Sequence, residues 1–227
     1  MSQLTDLVNY DNPNSLGSRF RSARKQVIAD LIEAVFAKQG QVRIADLGGR
    51  EVYWKIFGAD YLQQHRVSIA LINPEPQQAS ASPLFKVVQG DACALEEFES
   101  GSFDLVHSNS TIEHVGLWPK MEAFAETARR LAPAYYIQTP YYWFPVEPHA
   151  IAPLYHWLPD SWRAKLMLKM RLGNYPRAAD MGEAMRAVQD AIMLDRAQMK
   201  ALFPDAEIRF EWLGPLPKSL MAIRREG

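Results

Sequence analysis

The chain has 227 residues, enough for one well-filled domain or for one domain carrying a large insertion. Hydrophobic residues make up 48% and charged residues 22%, as in ordinary globular proteins, and a formal net charge of −1 gives no reason to expect a nucleic-acid partner. Cys93 is the one cysteine, which excludes an internal disulfide and fits a reducing, cytoplasmic setting. The N-terminus lacks a signal-peptide pattern and no run of about 18 apolar residues occurs, so neither export nor a membrane span is expected.

Residues 1–14 are polar and contain Asn and Pro, which predicts a loose arm. From Ser18 to Ala37, apolar residues recur at helical spacing, with Phe20, Val27, Ile28, Leu31, Ile32, Val35 and Phe36 on one side. Arg19, Arg21 and Arg24 fall mostly on other faces. A short apolar run at 42–47 predicts a buried strand, and 51–63 reads as a helix. Further strands are predicted at 67–72, 84–92, 103–110 and 134–140, with a helix at 118–132 between the last two. The strands lack polar alternation, as expected of parallel strands covered on both faces. Residues 141–194 break the rhythm: they are rich in Trp, Tyr, Pro and Met and carry no convincing strand. A helix at 195–203 and two strands at 206–214 and 219–226 follow, close enough to form an antiparallel hairpin.

Strands alternating with helices predict one doubly wound α/β domain over 1–227, with 141–194 as an insertion after the fifth strand. Ligands in such sheets sit beyond the carboxyl ends of the strands, where strand order reverses. Four corners are nominated on that ground. At the first, Gly48 and Gly49 let a backbone approach a ligand, and the following helix presents N–H groups to an anion. Asp46 can accept a bond from an ammonium or steady the turn, and the plain alternative for this corner is a tight strand-to-helix turn without a ligand. At the second, Asn73 can grip a diol or simply end its strand. At the third, Asp91 can accept a bond from an exocyclic amine or cap a helix, and Ala92 offers its N–H. At the fourth, Asn109 and Ser110 close a buried strand, and Glu113 and His114 follow within a turn.

Taken together, "ADLGG" (45–49), "GDA" (90–92) and "FDLVHSNSTIEHV" (103–115) resemble the class I S-adenosylmethionine-dependent methyltransferases, in the type 11 branch. The resemblance spans about residues 40–140 and returns at the last two strands. It implies a Rossmann-like, mostly parallel, seven-stranded sheet whose last strand is antiparallel. By position it implies that Asp46, Gly48 and Gly49 line the methionine end of S-adenosyl-L-methionine. Asn73 takes the ribose position, Asp91 and Ala92 contact adenine, and Asn109 faces the methionine portion. Arg50 stands where the family has a third glycine, and Asn73 where it has an acid. A guanidinium at position 50 can pair with the cofactor carboxylate.

The insertion is expected to be a lid that shapes the acceptor pocket. Methyl transfer needs alignment and exclusion of water, and an oxygen or nitrogen acceptor also needs a base. His149 is the first candidate and His114 the second; either can instead be a hydrogen-bonded packing residue. The stretch 157–173 reads as a packed helix with a solvated basic edge, and alternatively as a helix lying on a membrane surface to collect a lipid-linked acceptor. No His, Cys or Asp cluster has metal-ligand spacing, so no metal is expected. The reading is a methyltransferase acting on a small-molecule or glycan-like acceptor, with O-methylation slightly favoured. A non-catalytic binding protein on the same scaffold is the alternative. A nicotinamide-dependent oxidoreductase ranks below both, because "GGREVYW" lacks G-x-G-x-x-G.

Overall fold

A computed structural model describes the backbone of residues 16–226 and the side chains from Arg24 onward. The arm expected over 1–14, and the side chains of Arg19, Phe20 and Arg21, lie outside the described residues. In chain order the elements begin with helix α1 (Leu16–Gln39), strand β1 (Val42–Leu47), α2 (Glu51–Trp54), α3 (Ala59–Gln64), β2 (Val67–Asn73), β3 (Phe85–Gln89) and β4 (Leu105–Asn109). They continue with a 3₁₀ turn at Ile112–His114, α4 (Trp118–Leu131), β5 (Ala134–Pro140) and the two-residue strands β6 (Val146–Glu147) and β7 (Ala152–Pro153). Last come a second 3₁₀ turn at Tyr155–Trp157, α5 (Asp160–Lys169), α6 (Met181–Gln189), α7 (Arg196–Leu202), β8 (Glu207–Leu213) and β9 (Leu216–Arg224).

Seven strands form one sheet in the order β3–β2–β1–β4–β5–β9–β8. β1 runs parallel to both β2 and β4, and β2 parallel to β3. β8 and β9 pair antiparallel, as the hairpin expectation required, with a bulge between Glu211 and Trp212. The chain moves outward from β1 to β2 and β3, then returns to β4 on the other side of β1. That reversal makes the carboxyl ends of β1 and β4 the switch point.

One expectation is corrected. The single helix predicted over 51–63 is two short pieces, α2 and α3, separated by turns and by Gly58 at φ 79°. Glycine adopts that left-handed conformation without a Cβ clash, which ends α2's continuation. α2 has one turn only, so the anion-attracting dipole foreseen after Gly49 has little helix behind it.

The described residues group by contact into two compact units: those up to 108 with 127–136 and those from 224 on, and residues 109–126 with 137–223. In the first, Ile28, Leu31, Ile32 and Val35 of α1 are buried, as are Ile44 and Leu47 of β1 and Ile69, Leu71 and Ile72 of β2. Asp104, of the "FD" pair, ties β4 to β1: it accepts bonds from the Arg43 backbone N–H (2.7 Å) and from its guanidinium (2.7 and 3.1 Å). In the second, Tyr155, Ala164 and Met167 pack with Ala184 and Val188, so α5 buries one face against α6. Lys165, Lys169 and Arg171 are exposed on the other side, in keeping with the packed-helix reading of this stretch. No helix among the described residues is long and apolar enough to cross a membrane.

Candidate active site

In the first unit, the side chains of Asp46, Trp54, His107 and Asn73 hold the turn after β1. Gly48 takes φ 76° and donates its N–H to Ile72 O at 2.8 Å. A Cβ on Gly49 would fall on the Asp46 carboxylate, so only glycine fits there. Asp46 is fully buried. Its Oδ2 accepts the Trp54 indole N–H at 2.7 Å, and its Oδ1 lies 2.6 Å from His107 Nδ1. His107 is itself buried between the rings of Tyr53, Trp54 and Tyr136. Asn73, also buried, donates from its amide to Gly49 O at 2.9 Å. Both Asp46 and Asn73 therefore spend bonding capacity on fixing the turn. Arg50 is exposed in extended conformation, with no side-chain bond or ion pair among the described residues.

At the third corner Gly90 packs tightly; a Cβ there would lie 2.7 Å from Leu95. Asp91 is exposed, and its Oδ1 accepts the Cys93 N–H at 2.9 Å, closing an Asx turn. Ala92 is buried, and its N–H has no acceptor among the described residues. Neither residue caps a helix, since no helix follows β3 directly.

The second unit contains the fourth corner. Asn109 is half-buried at the end of β4. Ser110 stands at φ 54°, held by bonds from its N–H and its hydroxyl to Gln138. A non-glycine residue in that region is strained, and such strain persists where the surroundings over-determine it. The 3₁₀ turn then brings Glu113 inward and leaves His114 partly exposed.

Glu113 is completely buried. Its Oε2 accepts from Thr139 Oγ1 at 3.0 Å, while its Oε1 has no partner among the described residues. Burial raises its carboxyl above the usual range, against the opposing pull of His114, Thr139 and His149. His114 Nδ1 donates to the Asp190 carbonyl at 2.9 Å. His149 Nδ1 lies 2.6 Å from Glu147 Oε1, and Glu147 also accepts the Ala150 N–H. Burial raises the Glu147 carboxyl, but the bonds from His149 and Ala150 outweigh it and hold the group low, hence ionised. For His149, burial lowers the imidazole, but the Glu147 bond and the charges of Glu147, Glu113 and Asp190 prevail and hold it above its ordinary value. The rings of His114 and His149 meet edge-to-face at 4.8 Å.

The fold thus joins His149 and His114, the two base candidates, and adds Glu113, Glu147 and Asp190. The sequence signal for Glu113 was its place beside His114; Glu147 sits two residues before His149. Nothing in the sequence pointed to Asp190. Nor did anything mark His107 and Trp54 as the partners of Asp46.

Residues 45–137, which run from the middle of β1 into β5, match the family model described as a methyltransferase domain. Over this segment the chain is similar to the class I methyltransferases, and the sheet has the strand order and antiparallel end strand that the resemblance implies. No curated protein matches this chain in sequence. Among solved structures, it is similar to an O-methyltransferase family protein from Burkholderia thailandensis, at 15% identity over 99% of this chain and 67% of that one, with a TM-score of 0.44. It is also similar to the 1,6-didemethyltoxoflavin-N1-methyltransferase of Burkholderia thailandensis, a structure with bound S-adenosylhomocysteine, at 10% identity over 96% and 92% of the two chains and a TM-score of 0.49. A protein of Rhodobacter sphaeroides provisionally named a Zn-dependent alcohol dehydrogenase reaches the same score at 11% identity over 82% and 85%. With all three scores below 0.5, the fold assignment rests on strand order and direction.

Proposed function

We propose that this chain is a methyltransferase that binds S-adenosyl-L-methionine in its first unit and transfers the methyl group to a small-molecule or glycan-like acceptor, O-methylation slightly favoured. The observation that carries the reading is the glycine turn after β1, on a chain whose residues 45–137 match a methyltransferase-domain model. The residues there suit the cofactor. Gly48 and Gly49 present bare backbone, Arg50 offers a cation to the amino-acid carboxylate, and Ala92 offers an N–H to an adenine ring nitrogen. Asp91 remains the candidate partner of the adenine amine. When bound, the cofactor supplies a methyl carbon activated by a positive sulfur. The chain's own work is then to orient the acceptor, exclude water and take up the acceptor's proton.

Residues 141–194 are the segment we assign to the acceptor. Within it, Glu147 fixes His149 with Nδ1 protonated, leaving Nε2 to accept a proton; His114 is the second candidate. Asp46 and Asn73 enter this proposal as positioning residues, because their side chains hold the turn. That same engagement supports the second reading, a non-catalytic binding protein, since it leaves Asn73 less to offer a ribose.

Calorimetry with S-adenosylmethionine and with NAD separates the readings. Heat with the former and none with the latter is expected. Heat with NAD alone would turn the assignment to an oxidoreductase, and binding of S-adenosylmethionine without turnover across an acceptor library would favour the binding protein. Asp91→Ala is expected to weaken cofactor binding by about 1–3 kcal/mol, the usual cost of orphaning a bonded group. An unchanged dissociation constant would remove Asp91 from the adenine site.

A further inference from the structure

We propose that Glu113, His114 and His149 form a site for a divalent transition metal of the zinc type. One donor atom from each residue lies within 4.8 Å of the others. What distinguishes this group from a chance cluster is how each member is prepared. A carbonyl oxygen cannot donate, so the bond from His114 to the Asp190 carbonyl puts the proton on Nδ1 and leaves Nε2 with its lone pair. The Glu147 carboxyl oxygen, 2.6 Å from His149 Nδ1, holds that ring in the same way. Metal-bound histidines commonly have the other ring nitrogen tied to a carbonyl or carboxylate in this way, which fixes tautomer and ring orientation. Glu113 supplies the third donor: its carboxylate is fully buried, one oxygen is anchored by Thr139, and the other is left without a partner among the described residues. A buried carboxylate oxygen with no bond is costly, and a cation would satisfy it.

Two imidazoles and one carboxylate form a donor set that suits zinc and its neighbours better than calcium or magnesium, and such a set leaves a position for water or another oxygen ligand. Bonds of about 2.1 Å place tetrahedral ligands about 3.4 Å apart, so filling the site draws the three side chains together. A cation here and a free proton acceptor at His149 are alternative uses of one nitrogen, Nε2. The site itself stands on the cluster and does not depend on the methyl-transfer reading.

The test is titration of the untagged, chelator-treated full chain with Zn²⁺ in a calorimeter, with Co²⁺ absorption as a spectroscopic probe. A single equivalent is expected to bind, with Co²⁺ giving the intense visible bands of a low-symmetry site. His149→Ala and Glu113→Gln should each lower affinity about 100-fold or more, and Glu147→Gln by about 10–100-fold through loss of its hold on His149. His65→Ala is the control, because His65 also bonds a backbone carbonyl through Nδ1 but lies outside the cluster. Circular dichroism reports folding; should Glu113→Gln not fold, the partly exposed His149 decides. No bound equivalent in the parent chain, or equal binding by parent and His149→Ala, overturns the site and leaves His149 as a proton acceptor.

Discussion

Asp46→Ala is expected to lower the unfolding free energy by about 3–5 kcal/mol, the usual cost of breaking a fully buried pair. Two groups lose their partner at once: the Trp54 indole N–H and His107 Nδ1, both sealed from water. Each orphaned buried group costs about 1–3 kcal/mol, and the space left by the carboxylate adds to that. Asp46→Asn should fall between parent and Ala. The amide keeps the shape; its oxygen can accept from Trp54 while its NH₂ donates to a His107 that has shifted its proton to Nε2. Urea denaturation of the three proteins measures the series. A loss under about 1 kcal/mol for Asp46→Ala would mean that the Trp54 and His107 bonds contribute little. The same variant should weaken S-adenosylmethionine binding, because Gly49 rests against this carboxylate while Asn73 holds the Gly49 carbonyl. Stability lost with cofactor affinity intact would separate the buried pair from the turn.

His149→Ala is expected to reduce turnover by about 10²–10⁴-fold, the range that a positioned proton acceptor contributes. Cofactor affinity should hold, since Gly48, Gly49, Arg50 and Asp91 are the proposed cofactor contacts and none is altered. The variant should also fold, because its side chain is about 20% exposed and the neighbouring backbone is anchored independently: Ala150 N–H binds Glu147, and Asn174 N–H binds the His149 carbonyl. Release of S-adenosylhomocysteine, on any acceptor that the parent chain turns over, gives the comparison. Parent-level turnover would make His149 a packing residue, as its aromatic surroundings allow. A fall in turnover accompanied by equal loss of Zn²⁺ binding would assign the effect to the metal site, and a fall without any metal binding would assign it to proton transfer.

The apolar runs at 42–47, 67–72 and 134–140 were enough to locate three strands, because a strand covered on both faces has little room for polar alternation. The spacing of the last two runs likewise predicted their antiparallel pairing. The 51–63 segment misled for a local reason: Trp54, Phe57 and Leu62 are all buried, so the apolar pattern continues across Gly58, where the backbone turns. The motifs identified the corners but not the bonds made there. Asp46 reads as a ligand residue in isolation; its partner His107 is 61 residues away, and Asn73 reaches Gly49 across 24.

The sequence by itself determined the chain order of the seven strands of the main sheet, the glycine turn after β1 and the pairing of the last two strands, because burial and backbone freedom act on neighbouring residues and leave a local pattern. Only the tertiary structure decided that Asp46 faces inward to Trp54 and His107, and that His149 joins Glu113 and His114. Hydrogen bonds and ligand sets depend on which side chains the folded chain brings within about 3 Å of one another, and sequence distance carries no record of that.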